Sequence, residues 1–351
     1  MAGMPKSIKT YSLEGLEQIA ASYGQPKFRA LQIAEWLYAH NVQSFDSMTN
    51  LSKTLRAELS ENYTLSSPTM LDKQVSADGT RKYILGFEDG ECVETVAIPS
   101  GYSEDGDARK LTVCLSTQVG CAVGCSFCAT GQEGFKRNLT VGEMVDQVLF
   151  VQNDFEQRVS NVVAMGQGEP FLNYNNTLAA LRIMNHPKLL KIGARRITIS
   201  TCGVLKGIER LSQEPEQFTL AVSLHSARQH IRNALMPHME GQPLRQLKAV
   251  LGKYIEETGR RVTLEYLLLK DINDDDEDLQ ALVRFCEGLL CHVNLLPLNS
   301  AASTFFEPSN DSTLQYWQNE LGNRHIETTI RNSRGADISG ACGQLKNTFS
   351  K

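Results

Sequence analysis

The chain has 351 residues, 41% hydrophobic and 21% charged, a composition that excludes an intrinsically disordered protein. Its formal net charge of −5 excludes a uniformly basic nucleic-acid-binding surface, although six of the acids sit together in "DINDDDED" (271–278), so a local basic face stays open. No apolar run is long enough to cross a bilayer, and the opening "MAGMPKSIKTYSLEG" lacks the hydrophobic stretch of a secretory signal, so a cytoplasmic protein is expected.

In chain order, "SLEGLEQIAASYG" reads as a helix capped by Ser12, with Leu13, Leu16, Ile19 and Ala20 at helical spacing and Gly24 as a stop. "QPKFRALQIAEWLYAH" follows, with Pro26 suited to a first turn and Ala30, Leu31, Ala34, Leu37 and Tyr38 on one stripe. Leu51, Leu55 and Leu59 mark a third helix. These make a small helical module, assigned to residues 1–75. "RKYILGF-EDG-ECVETVAIP" is a hairpin signal around Glu88-Asp89-Gly90, giving a β-hairpin extension over 76–110.

From 111 onward, six β-type runs ("LTVCLS", "NVVAMG", "RRITIS", "FTLAVSLH", "RVTLEYLLL", "HVNLLPLN") are separated by crossover-length segments. That pattern predicts parallel strands joined by helices, an α/β partial (β/α)6 barrel over 111–300, followed by a C-terminal segment, 301–351. In such a barrel the chemistry belongs at the carboxyl ends of the strands. There stand Gly166 to Glu169, Ser200, Ser223 with His225, and Asn299. Taken singly each has an ordinary explanation: Ser200 caps a helix, and His225 is a hydrogen-bonded core residue.

The nine cysteines are an odd number in a chain without an export signal, which argues against a structural disulfide framework. Three of them, Cys121, Cys125 and Cys128 in "CAVGCSFCATG", form C-x3-C-x2-C. Thiolates at this spacing suit zinc or an iron–sulfur cluster. A structural zinc site is expected to have four ligands, often as two C-x2-C pairs, and no fourth stands nearby in the sequence. Three cysteines on a 4Fe–4S cluster leave one iron open. This motif resembles that of the radical S-adenosylmethionine (SAM) superfamily, down to the aromatic Phe127 before the third cysteine.

A narrower resemblance covers about residues 10 to 347. "VETVAIP", "CLSTQVGCAVGCSFCATGQEGFKRNLT", "MGQGEPFLNY", "ISTCGV", "SLH" and "RGADISGACGQL" occur in the order found in the RlmN-type RNA methyltransferases. Those enzymes methylate C2 of an adenine in 23S ribosomal RNA and, in some members, of transfer RNA; the related Cfr enzymes methylate C8. The resemblance implies that Cys121, Cys125 and Cys128 hold the 4Fe–4S cluster. It also implies that Gly168, Glu169, Ser200, Ser223, Leu224, His225 and Asn299 contact SAM. One departure is Gln167, where the family often has methionine.

The same resemblance gives Cys342 as the cysteine that becomes S-methylated, Cys114 as its resolving partner through a transient disulfide, and Glu94 as the proton acceptor. On chemistry alone the scheme is needed because adenine C2 lies between two ring nitrogens and is too electron-poor to attack a methyl group. A radical on a methyl group carried by Cys342 adds to it instead, consuming two SAM per turnover and requiring an electron donor for the cluster. Outside this scheme Cys342 reads as a small buried hydrophobe, and Glu94 as a solvated strand residue. Cys92, Cys202, Cys286 and Cys291 read as incidental thiols. Lys136, Arg137, Arg331 and Arg334 are candidate phosphate ligands for RNA. The protein is expected to work as a monomer without membrane association. Two alternatives remain: Cfr-like C8 methylation, and a zinc-stabilised RNA-binding protein without catalysis.

Overall fold

The computed structural model describes residues 6–65, 67–102, 108–299 and 305–346. The outermost parts of the expected helical module and C-terminal segment (1–5, 301–304 and 347–351) lie outside them.

The three N-terminal helices form where the apolar spacing predicts: Leu13–Ser22, Phe28–Tyr38 and Lys53–Asn62. The Ser12 hydroxyl accepts from the Gly15 N–H at 3.2 Å and Ser52 from Leu55 at 3.2 Å, each satisfying an amide with no partner inside its helix. Pro26 sits ahead of the second helix, not in it, and its carbonyl accepts from Arg29 N at 2.9 Å. Leu16, Ile33, Leu37, Leu55 and Leu59 are buried in the same core as Val145 and Val148 of the long helix Val141–Phe155. That helix begins with a capping box between Thr140 and Glu143. One buried ion pair ties module to barrel: Lys9 Nζ lies 2.6 Å from Asp146 Oδ1.

The centre of the molecule is a ten-stranded mixed sheet that does not close. The six expected strands are present and parallel: Ala108–Cys114, Asn161–Ala164, Ile197–Thr201, Thr219–Ser223, Val262–Leu268 and Cys291–Pro297. A seventh, Thr328–Ile330, joins them in parallel at the edge; three residues without an apolar run carry too weak a pattern to be read from sequence. This is a partial α/β barrel, and its strands are buried by helices on both faces, which is why they read as continuous apolar runs.

The hairpin signal is realised as Arg81–Gly86 paired antiparallel with Cys92–Tyr102, which in turn pairs antiparallel with Ala108–Cys114. A further antiparallel strand, Thr69–Val75, extends the sheet, so strand structure starts inside the stretch assigned to the helical module and ahead of the boundary at 75. Its outer position explains the difference. Met70, Leu71 and Val75 are exposed, so no hydrophobic alternation marks the strand. No helix among the described residues is long and apolar enough to cross a membrane.

Candidate active site

The carboxyl ends of the parallel strands open into a cavity of about 970 Å³. Cys121, Cys125 and Cys128 line it from the loop that follows the short strand Gln118–Gly120. The loop's shape depends on Gly120, at φ +72°: a Cβ there would stand 1.9 Å from the Gly134 carbonyl oxygen. That close approach lets Cys121 N donate to the same oxygen at 2.9 Å. Cys128 N donates to Cys125 O at 3.1 Å, and Ser126 N reaches across to Leu235 O at 2.9 Å. Burial pushes the Cys121 thiol up to about 12 and raises Cys128 as well, so without a cation these sulfurs stay protonated. Among the described residues no group of three or more His, Cys, Asp or Glu side chains is arranged to hold a single metal ion.

Gly168, Glu169, Ser200, Ser223, His225 and Asn299 line the same cavity. Gly168, at φ +99°, lies so close to Gln118 that a Cβ would come within 2.5 Å of the Gln118 side chain. Glu169 is buried, and its two oxygens accept from Phe171 N at 2.9 Å and Cys202 N at 2.7 Å, which fixes the carboxylate. His225 is both the core residue of the ordinary reading and part of the cavity wall. Its ring packs edge-on against Phe127 with centroids 4.8 Å apart, and its Nδ1 accepts from Leu267 N at 3.1 Å. Burial, and then the charge of Arg232, push its pKa down to about 3, so the imidazole is neutral with its proton on Nε2. Leu224 does not line the cavity. Its side chain is in the core, and its backbone is used instead, N donating to Glu265 O at 2.9 Å and O accepting from Arg232 at 2.6 Å.

The C-terminal segment closes one side. Gly343 O accepts from Ala129 N at 2.9 Å, Leu345 O from the Thr130 hydroxyl at 2.6 Å, and Cys342 O from Asn299 Nδ2 at 3.5 Å. Cys342 is exposed, not a buried hydrophobe, and it lines both this cavity and an adjoining one whose wall includes Cys114. Strand register accounts for the meeting: Val96 pairs with Cys114, so side chains at 94, 96 and 114 emerge on one face of the sheet. Leu345 packs on Val96 and Cys114 there.

Glu94 is not a solvated strand residue but fully buried, outside both cavities, beneath this segment. Lys82 Nζ lies 3.2 Å from one of its oxygens, and Lys346 N donates to the other at 2.7 Å. Burial pushes its carboxyl up to about 7 against the pull of Lys82.

Residues 115–283 match the family model of the radical SAM superfamily, and residues 8–65 that of the ribosomal RNA large subunit methyltransferase N-terminal domain. A relative from Clostridium novyi (strain NT), named a probable dual-specificity RNA methyltransferase RlmN, is 39% identical, over 98% of this chain and 98% of its own. A relative of the same name from Bacillus velezensis is 42% identical over 97% of this chain and 93% of its own. The crystal structure of a radical SAM methyltransferase from Sphaerobacter thermophilus matches with a TM-score of 0.90 and 43% identity, covering 97% of this chain and 99% of that one. The chain belongs to the RlmN family.

Membership of the radical SAM superfamily implies a 4Fe–4S cluster and SAM, and the residues present fit them. Three soft thiols face one cavity from one loop, and the wall opposite offers the carboxylate, hydroxyl, imidazole and amide groups that a zwitterionic, nucleoside-bearing ligand needs. In this RlmN-family chain the departure at Gln167 has a structural role. The residue is buried outside the cavity wall, and its Oε1 accepts from Glu94 N at 3.0 Å, joining the hairpin strand to the Gly168–Glu169 turn.

Three residues escaped the sequence reading. Arg232 is buried and donates to Ser223 O at 3.0 Å, to Leu224 O and to Cys202 O, clamping two strand ends. Glu265 is buried in the cavity wall. Arg331, expected on the RNA-facing surface, instead lines both cavities 3.8 Å from Glu265, where its charge is felt by Cys114 and Cys342. Arg137 is likewise engaged, by Asp89 and Glu143, and Lys136 by Glu91. Arg334 faces Asp78. No motif marks any of these roles, because each depends on a partner distant in the chain.

Proposed function

We propose that this protein is a radical SAM RNA methyltransferase that methylates C2 of an adenine in 23S ribosomal RNA, with transfer RNA as a second substrate. The observation that carries the reading is the shared wall: Cys342 borders both the cavity of the three-cysteine loop and the one that contains Cys114. The names of the RlmN relatives support RNA as the substrate class.

In this reading Cys121, Cys125 and Cys128 hold the cluster, and Gly168, Glu169, Ser200, Ser223, His225 and Asn299, with the backbone of Leu224, hold SAM. When bound, the pair supplies a methyl group and a 5′-deoxyadenosyl radical. Cys342 acts as a thiolate, takes up the methyl group and carries it as a thioether. Once that carbon is joined to adenine C2, Glu94 receives the C2 proton. Cys114 then attacks the Cys342 sulfur: the new S–S bond forms as the S–C bond to the RNA breaks, and a dithiol reductant returns both thiols.

The Cys114 thiol is pushed up to about 12 by burial and by Cys342, and the guanidinium of Arg331 opposes that shift, favouring the thiolate the attack requires. Glu94 has to be uncovered for its part, since Lys346 N occupies one of its oxygens.

The test is anaerobic reconstitution with iron and sulfide, then assay with SAM, a reductant and ribosomal RNA. Cys342→Ala is expected to give neither product nor protein–RNA adduct, and Cys114→Ala to accumulate the adduct. Full turnover by Cys114→Ala overturns the resolving role. Mass spectrometry of the modified adenine checks the position, and a C8 methyl group overturns C2. A colourless protein containing zinc overturns the radical reading altogether.

A further inference from the structure

We infer that Cys202 is a fourth cysteine ligand of the cluster, bonded to iron in the SAM-free protein and displaced when SAM binds. The inference rests on the cluster reading above and goes beyond it, since three cysteines suffice for that reading.

Cys202 comes from a different part of the fold than the loop cysteines. It follows the strand Ile197–Thr201, yet it lines the same cavity as Cys121, Cys125 and Cys128. Its thiol is within hydrogen-bonding reach of the Cys125 sulfur, and it packs in one apolar cluster with Cys121, Cys125 and Cys128. Its backbone is held on both sides: N donates to Glu169 at 2.7 Å, and O accepts from the buried Arg232. A side chain anchored this way has its direction set by the strand end, and that direction is into the cup of thiols.

Four thiols around one cavity are the full ligand number of a 4Fe–4S cluster. With three ligated, the remaining iron is open to water and oxidants until SAM arrives. Ligation by Cys202 breaks its S–H bond, releases the proton to solvent, forms an Fe–S bond and expels any water on that iron. SAM binding reverses these steps: its amino and carboxylate groups take the iron, and the Cys202 sulfur recovers a proton. No electrons are exchanged in either direction. Neighbouring Glu169, hydrogen-bonded to Cys202 N, lies where it feels both states.

The experiment uses the reconstituted full-length holoprotein without RNA. In wild type, Mössbauer spectra of the SAM-free cluster are expected to show all irons in sulfur coordination, and one distinct iron only after SAM is added. A distinct iron already present without SAM overturns the inference. Independently, ferricyanide treatment without SAM is expected to leave wild type with its four irons. Cys202→Ser and Cys202→Ala should lose one iron and give the paramagnetic resonance signal of a three-iron cluster. Equal loss in wild type and both variants overturns the inference as well. Absence of any cluster from wild type is a different failure, that of the cluster reading itself, and iron and sulfide analysis identifies it.

Discussion

Glu94 combines two roles that titrate in opposite senses. Its carboxyl is raised from 4.5 to about 7 by burial, so the folded protein keeps a proton that the unfolded chain has lost between those values. The resulting contribution to stability is complete below pH 4.5 and is lost as pH rises through about 7. Proton acceptance, in contrast, needs the ionised form and grows over the upper part of the same range. Methylation rate is therefore expected to rise with pH through about 7, while the denaturant midpoint loses this component. Glu94→Gln should lower the rate by about a hundredfold or more and flatten both profiles. Unchanged pH dependence of both in the variant would remove Glu94 from the mechanism. The sequence names Glu94 only through its motif. Its burial, its Lys82 partner and the Lys346 amide above it come from residues 12 positions before it and 252 after it, beyond the reach of any local pattern.

At the scale of elements, local chemistry and tertiary demand separate cleanly. The helix caps at Ser12 and Ser52 and the capping box at Thr140 are written in the sequence, because a hydroxyl three residues from an amide is a local arrangement. Thr140→Ala is accordingly expected to cost about 1 kcal/mol, the ordinary value of a lost cap. Gly120→Ala should cost about 2 kcal/mol or more, since it needs both a positive φ and space that the Gly134 carbonyl already fills. Thermal unfolding of both variants checks the ranking, and Gly120→Ala should also bind less iron because the same turn carries Cys121. The strands Thr69–Val75 and Thr328–Ile330 show the other side. Both lie at sheet edges, where half the surface is solvated or the strand is very short, so neither leaves an apolar signature. What makes them strands is the neighbour that offers its free hydrogen-bonding edge.

For the molecule as a whole, the helical module and the barrel share one hydrophobic core, and the Lys9–Asp146 pair is the polar element inside it. Burial raises the Asp146 carboxyl to about 6 in spite of Lys9, a sign that its charge depends on that single ammonium. Lys9→Met should destabilise the protein by about 3–5 kcal/mol, as expected when one member of a buried pair is removed. Lys9→Met with Asp146→Leu should recover most of that loss in urea denaturation; no recovery would mean that the pair matters for packing and not for charge.

The sequence by itself determined the helical module, the six parallel strands, the three-cysteine loop and the order of motifs, because each depends on periodicity or on spacing within a short stretch. Only the tertiary structure decided that Cys342 and Cys114 share a cavity wall, that Arg331 turns inward between them, and that Cys202 joins the three loop thiols. The physical reason is common to all three. Strand register and the crossing of distant segments set which side chains meet, and nothing within a local window of sequence encodes those distances.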